Sequence, residues 1–239
     1  MVTHTKSLHT SNKVDGMSLY LKRIFALMFG AIGLTAVASF LTMATPLWSI
    51  LFTRTGMSPL YYILLFGGLA VSIWAQARAF HFKPSTGGLL LALYAITMGI
   101  VITPLLLFSV THNPWTILFA FIISAVMFAC MALFGYKTVR NLSFLRIFLF
   151  MGMIGLILVG LASFIWPALV GGTSGAIICL IGTFVFALFT AYDMQTLKNA
   201  YNYIGDETQK NQLAVLGALH LYISFIAMFQ YILSLFNRD

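Results

Sequence analysis

Charge is what this sequence has least of: 13 lysines and arginines and five aspartates and glutamates among 239 residues, or 8%. A soluble domain of this size needs roughly a quarter of its residues charged to cover its surface. A water-soluble fold is therefore excluded, and lipid takes the place of water as the solvent. Cysteine is nearly absent too. Cys130 and Cys179 both fall inside apolar runs, so no disulfide framework is available. No phosphate-binding glycine loop, HExxH or CxxC spacing occurs, so no motif implies a cofactor or a resident metal. The apolar stretches are continuous rather than alternating, which excludes barrel strands.

What is present is apolar surface: 61% hydrophobic residues and a mean hydropathy of +0.98. A helix needs about 20 apolar residues to cross a hydrocarbon core of about 30 Å. Seven such runs can be traced, over residues 23–44, 59–77, 87–109, 115–136, 144–166, 174–193 and 213–236. The expected fold is an all-α membrane protein, a seven-transmembrane helix bundle with short connections and antiparallel neighbours.

Eleven of the 13 basic residues fall on one side of that arrangement: Lys6, Lys13, Lys22, Arg23, Arg78, Lys83, Lys137, Arg140, Arg146, Lys198 and Lys210. Only Arg54 and Arg238 fall on the other. The positive-inside rule then places the N-terminus in the cytoplasm and the C-terminus outside. The same distribution accounts for the net charge of +8 without a nucleic-acid partner.

Residues 1–18 are polar and are expected to form a disordered cytoplasmic tail ahead of a single membrane domain over 19–239. Lys22 and Arg23, an apolar stretch and Ala36-Val37-Ala38 imitate a cleaved signal, but a polar segment precedes them and the run continues past Ala38. Gly30, Gly33, Gly67, Gly68, Gly152, Gly155 and Gly160 have the spacing of helix-packing positions. Pro104, with Gly99, is expected to bend the third span.

One carboxylate, Asp193, closes an apolar run. An ionised group within a membrane is costly and marks a functional position by default, whereas one at the interface is ordinary. At 1.5 Å per residue, Asp193 lies roughly 28 Å along its span, near the cytoplasmic boundary. Position alone leaves both readings open. Phe189, Thr190, Thr196 and Leu197, with Ala187 and Thr183 further up, share its side of the helix, and Tyr192, Lys198, Tyr201 and Tyr203 suit an interfacial anchor. In the seventh span His220 lies four residues before Ser224, so the two share a face. Histidine is the side chain whose ordinary pKa, about 6.5, falls in the working range, although a histidine that merely hydrogen-bonds a neighbouring helix is equally compatible with the pattern.

Three blocks resemble the Bax inhibitor-1 family of seven-span membrane proteins, and the bacterial YccA-like branch in particular. They are MGIVITPLL in span 3, AFIISAVMFACMALFGYKTVRNLSFLRIFLFMGMIGLIL across spans 4 and 5, and FTAYDMQTLKNAY with GALHLYISFIAMF in spans 6 and 7. The resemblance implies a proton-sensitive leak for calcium or another cation, with Asp193 as the intramembrane carboxylate and a transient cation contact. It implies a span 2 arginine latching the cytoplasmic side, for which Arg78 is the candidate. It also implies a second aspartate in span 7, and here this chain departs: Ser224 stands at that position, Ala227 at the usual asparagine and Asn141 at a usual aspartate. Two close carboxylates resist double ionisation, so losing one shifts or removes the pH response. The branch further implies a second role, as a non-conducting regulator of a membrane-anchored quality-control protease.

An enzyme is not expected. Gly172-Thr173-Ser174-Gly175 spells the GxSG of rhomboid-type intramembrane proteases, but Ser174 begins span 6 on the outer side while His220 lies in the cytoplasmic half of span 7. A nucleophile and its base must approach to about 3 Å.

Overall fold

The computed structural model describes residues 2–46, 50–53, 56–77, 84–204 and 206–238, with side chains for all of these except 2–15, 52–53, 56–57, 69, 72–73, 75–77 and 84. Among them are seven long helices: α1 (Val2–Ala44), α2 (Pro59–Ala77), α3 (Pro84–His112), α4 (Trp115–Lys137), α5 (Leu145–Ile165), α6 (Gly172–Tyr203) and α7 (Glu207–Phe236). Each of the seven apolar runs lies on one of them. A two-residue antiparallel ladder, β1 (Phe52–Thr53) with β2 (Gly56–Met57), is the one exception to an all-helical architecture among the described residues. Six helices are long and apolar enough to cross a bilayer; in α2 the apolar stretch that qualifies is the shorter Pro59–Gly68. The chain is a multi-pass membrane protein.

In the structure α1 starts at Val2. Between Val2 and Asp15 there is no proline or glycine to break it.

The starts and stops of the other helices follow their local chemistry. Asp206 caps α7, accepting a hydrogen bond from the Gln209 N–H at 3.2 Å, with Glu207 in the first turn where the helix dipole favours an anion. Asn141 accepts from the Ser143 N–H at 2.9 Å and opens the short 3₁₀ turn Leu142–Phe144 that feeds α5. Pro167 stops α5 two residues after Ile165. At the start of α6, Gly172 takes φ +49, a left-handed conformation that costs glycine least.

Helix α7 is the axis of the bundle. It packs against α1, α3, α4 and α6, and 72% of its most apolar stretch is buried, against 6% for α5. Leu221, Tyr222, Met228 and Leu233 are wholly enclosed. By contrast α5 rests on α6 and turns Ile147, Phe148, Phe150, Met151, Leu158 and Ile165 outward. In lipid such exposure carries no penalty, because acyl chains are as apolar as the side chains they meet. Helix α2 rests on α3, and its Tyr62 meets Phe164 of α5 edge-on at 5.4 Å.

Without a hydrophobic force between helices, packing depends on close approach. Only two of the seven glycines whose spacing suggested it make such contacts, and the closest ones lie elsewhere. Gly30, Gly33, Gly67, Gly155 and Gly160 have nothing within 4 Å of the place a Cβ would occupy, and they face outward. Gly68 and Gly152 meet Thr97 and Val185 at 3.2 Å. The tight crossings are Gly99, where a Cβ would fall 2.6 Å from the Thr35 carbonyl oxygen of α1, and Gly135, where it would fall 2.1 Å from the Ala191 carbonyl oxygen of α6. Gly182 lies under the Tyr231 ring at 2.7 Å, and Gly217 under Leu197 at 2.6 Å. Spacing along one helix says which glycines share a face, but not which face meets a neighbour.

Polar contacts tie the helices where they cross. The Thr35 hydroxyl lies 2.7 Å from the Tyr222 hydroxyl and 3.1 Å from the Ala95 carbonyl, joining α1, α7 and α3. At the far end the Asn237 amide donates to the Ser109 hydroxyl at 2.7 Å. Arg238 donates to the Val170 and Gly172 carbonyls at 2.7 and 3.1 Å. Both cysteines are free.

These crossings lead to a paired expectation. Gly135→Ala sets a methyl carbon against the α6 backbone, and the gain of roughly 1 kcal/mol in helix propensity does not offset overpacking of about 1–3 kcal/mol. Its thermal midpoint in detergent should fall. Gly155→Ala, with open space around it, should hold or rise; equal responses from the two would show that the α4–α6 crossing is not tight.

Candidate functional site

The polar end of α6 turns inward. Thr183, Ala187, Thr190, Asp193 and Leu197 are buried and Phe189 is half-buried, while Thr196 is exposed, so most of the small and partly polar face inferred from the sequence enters the bundle. Asp193 itself is 8% exposed. The carboxylate is packed among helices.

His220 faces Asp193. Its Nδ1 lies 3.7 Å from Asp193 Oδ1, a distance at which a protonated imidazole forms an ion pair and a neutral one does not. The Asp193 side chain keeps 10% of its surface and His220 keeps 33%, so the pair is closed on the α6 side and open on the α7 side. Among the described residues the structure has one other ion pair, Lys210 with Glu207 at 2.7 Å, on the first turn of α7. Ser224 is also buried, one turn beyond His220, yet it is His220 that stands at ion-pair distance from Asp193. Arg78, the candidate latch, lies outside the described residues.

Two further side chains of the same turns hold the α4–α5 connection. The Gln195 amide is satisfied at both atoms: its Oε1 accepts from the Leu142 N–H at 2.8 Å, and its Nε2 donates to the Arg140 carbonyl at 2.7 Å. Lys198 donates to the Tyr136 carbonyl at 2.7 Å, at the C-terminus of α4 where a cation also meets the negative end of the helix dipole. Lys198 therefore caps a neighbouring helix. Tyr201 does not anchor an interface either, being buried with its ring 4.9 Å from that of Tyr20 in α1; Tyr203, 89% exposed, is free to do so. Gln195 was missed in the sequence. The signal was there, since a glutamine two residues from a buried aspartate must find partners of its own.

Ser174 has no part in this site. Its hydroxyl bonds to the Gly171 carbonyl at 2.9 Å at the very start of α6. Asp193, the neighbour of His220, is roughly 28 Å further along the same helix.

Comparison with known proteins adds a family. A family model described as "Inhibitor of apoptosis-promoting Bax1" matches residues 17–239. The chain is 31% identical over 230 residues to the inner membrane protein YbhL of Escherichia coli, covering 93% of each chain. It is 29% identical over 238 residues to the uncharacterized protein RP147 of Rickettsia prowazekii, covering 98% of this chain and 97% of that one. An uncharacterized protein of Caulobacter vibrioides is 33% identical over 189 residues, 77% of this chain and 72% of its own.

The amide clip supplies a stability test. Gln195→Leu leaves the Leu142 N–H and the Arg140 carbonyl without their partner, at about 1–3 kcal/mol for a buried group, and thermal unfolding in detergent should shift down. Asp206→Asn should stay within a few tenths of a kcal/mol, because asparagine caps a helix as well as aspartate does. A Gln195→Leu protein as stable as the parent would show that water replaces the clip.

Proposed function

The chain belongs to the Bax inhibitor-1 family of membrane proteins, and on that premise we propose that it is a pH-sensitive cation leak of a bacterial inner membrane, gated by Asp193 and His220. The observation that carries the reading is the 3.7 Å approach of His220 Nδ1 to Asp193 Oδ1 inside the bundle. With histidine protonated, the pair is internally neutral and holds α6 to α7. With histidine neutral, a buried carboxylate is left without its counter-charge, and a cation such as calcium can take that place in transit. His220 thus stands in for the second carboxylate absent at Ser224. The only side chain that faces the carboxylate at ion-pair distance among the described residues is this histidine; Lys198, further along α6, is turned to Tyr136.

In this reading α2 is a full span and the bundle has seven. The N-terminus is cytoplasmic, as the basic residues require. The end of the bundle that holds Arg23, Arg140, Lys198 and Lys210 is then the inner one, and the Asn237–Ser109 and Arg238 contacts close the outer one.

A second reading rests on the outward face of α5, whose Ile147, Phe148, Met151 and Leu158 offer a helix-length apolar surface. A membrane-anchored protease could dock there, making the protein a regulator that does not conduct. Flux of calcium or a monovalent cation through purified protein in liposomes separates the two readings.

For the leak, flux should rise as increasing pH removes the proton from His220. His220→Gln keeps a hydrogen-bonding side chain without the titration and should flatten that step. Asp193→Asn should lower flux at every pH, whereas Asp206→Asn should not. Ser224→Asp rebuilds two carboxylates on facing helices and should add a step through their mutual repulsion. An unaltered profile in His220→Gln alongside a changed one in Ser224→Asp would leave histidine a packing role only. For topology, a C-terminal reporter active only in the cytosol should stay silent; strong activity would remove α2 from the span count.

A further inference from the structure

The α4–α5 connection carries charge that no described residue answers with an ion pair. Lys137, Arg140 and Arg146 are exposed, and none of them makes an ion pair in the structure among the described residues. The sequence has no aspartate or glutamate between Asp15 and Asp193, so none of the local chain offers a counter-ion. Around these cations the connection turns apolar side chains outward, with Val139 97% exposed, Phe144 73% and Ile147 71%. Basic side chains interleaved with exposed aliphatic and aromatic ones at a helix end suit the boundary between headgroups and acyl chains. An acidic protein surface would satisfy the charges but not the apolar side chains beside them.

The connection is also fastened to the site. Gln195 holds the Arg140 carbonyl and the Leu142 N–H on either side of Asn141, and Lys198 holds the Tyr136 carbonyl. Both fastenings come from α6 within five residues after Asp193, and beneath them α4 and α6 touch backbone to backbone at Gly135 and Ala191. A displacement of residues 140–142 therefore cannot leave the Asp193 turn in place without breaking the Gln195 bonds.

We infer that the α4–α5 connection is a binding site for the phosphate headgroup of an anionic phospholipid, and that Gln195 transmits its occupancy to the Asp193–His220 pair. The phosphodiester accepts from Lys137, Arg140 and Arg146, arginine being able to grip two of its oxygens at once, while Val139, Phe144 and Ile147 meet the acyl chains. With the headgroup bound, residues 140–142 are held at the membrane surface and the last turns of α6 are held with them. The lipid site stands independently of the proposed leak; only the consequence for gating rests on that reading.

The test uses the full chain in a neutral maltoside detergent, titrated with short-chain phosphatidylglycerol or phosphatidylcholine while hydrogen exchange is followed over residues 136–146 and 190–200. Phosphatidylglycerol should slow exchange in both segments and phosphatidylcholine in neither. Each of Lys137→Gln, Arg140→Gln and Arg146→Gln should weaken the apparent affinity about five-fold, and all three together on the order of a hundred-fold. Gln195→Met should keep the slowing in 136–146 and lose it in 190–200. Should that variant fail to fold, Gln195→Glu retains an acceptor for the Leu142 N–H, gives up the donor to Arg140, and should weaken the response of 190–200. Equal slowing by phosphatidylcholine, an undiminished response in the triple variant, or the same slowing by inorganic phosphate or a glutamate-rich peptide would overturn the lipid site. Slowing of both segments in Gln195→Met would overturn the transmission. A protein that shows the full lipid response yet passes no ion in liposomes would sink the leak and leave this site standing.

Discussion

Helices in a bilayer are not driven together by apolar surface, so this fold depends on how closely its backbones can approach. Two crossings bring backbone against backbone. At Gly135 the α4 helix meets the α6 backbone, and at Gly99 the α3 helix meets α1, each with no room for a methyl group. Between them stands α7, the one helix enclosed on nearly every side. Its neighbours come close enough that the side chains of α7 fill the bundle rather than facing lipid.

Once α4 and α6 touch at Gly135 and Ala191, the polar residues just beyond that contact have nowhere to go but inward or onto the neighbouring chain. Gln195 and Lys198 take the second course and bond to the backbone of residues 136–142. Asp193 takes the first and meets His220. A carboxylate, an amide and an ammonium within six residues would be an awkward cluster for a membrane helix; here each has a specific partner. The apolar alternative, with none of them, would pack as well but would offer nothing that titrates or answers to the membrane surface.

The two ends of the bundle differ in the same spirit. At one end basic groups are exposed on connections, as at Lys137 and Arg140. At the other, Arg238 is turned back onto the carbonyls of Val170 and Gly172 at the start of α6, and Asn237 onto Ser109. The final residues of α7 thus join the helices around them, which keeps the central helix in register with α3 and α6.

The sequence by itself settled the solvent, the number of apolar runs, the helical class and the suspicion attached to Asp193, because hydropathy and scarcity of charge are properties of composition and order along the chain. It also showed a histidine and a serine on one face of the last helix. That the histidine stands at ion-pair distance from Asp193 was decided by the rotation of α7 against α6, a property of two helices at once. The same reason explains the glycines: Gly30, Gly33, Gly155 and Gly160 have the right spacing and face outward, while Gly99, Gly135, Gly182 and Gly217 make the contacts. Gln195 was visible only as a polar residue in need of partners, and those partners lie more than 50 positions away in sequence. Periodicity along one helix defines its faces; only the packed bundle decides what each face meets.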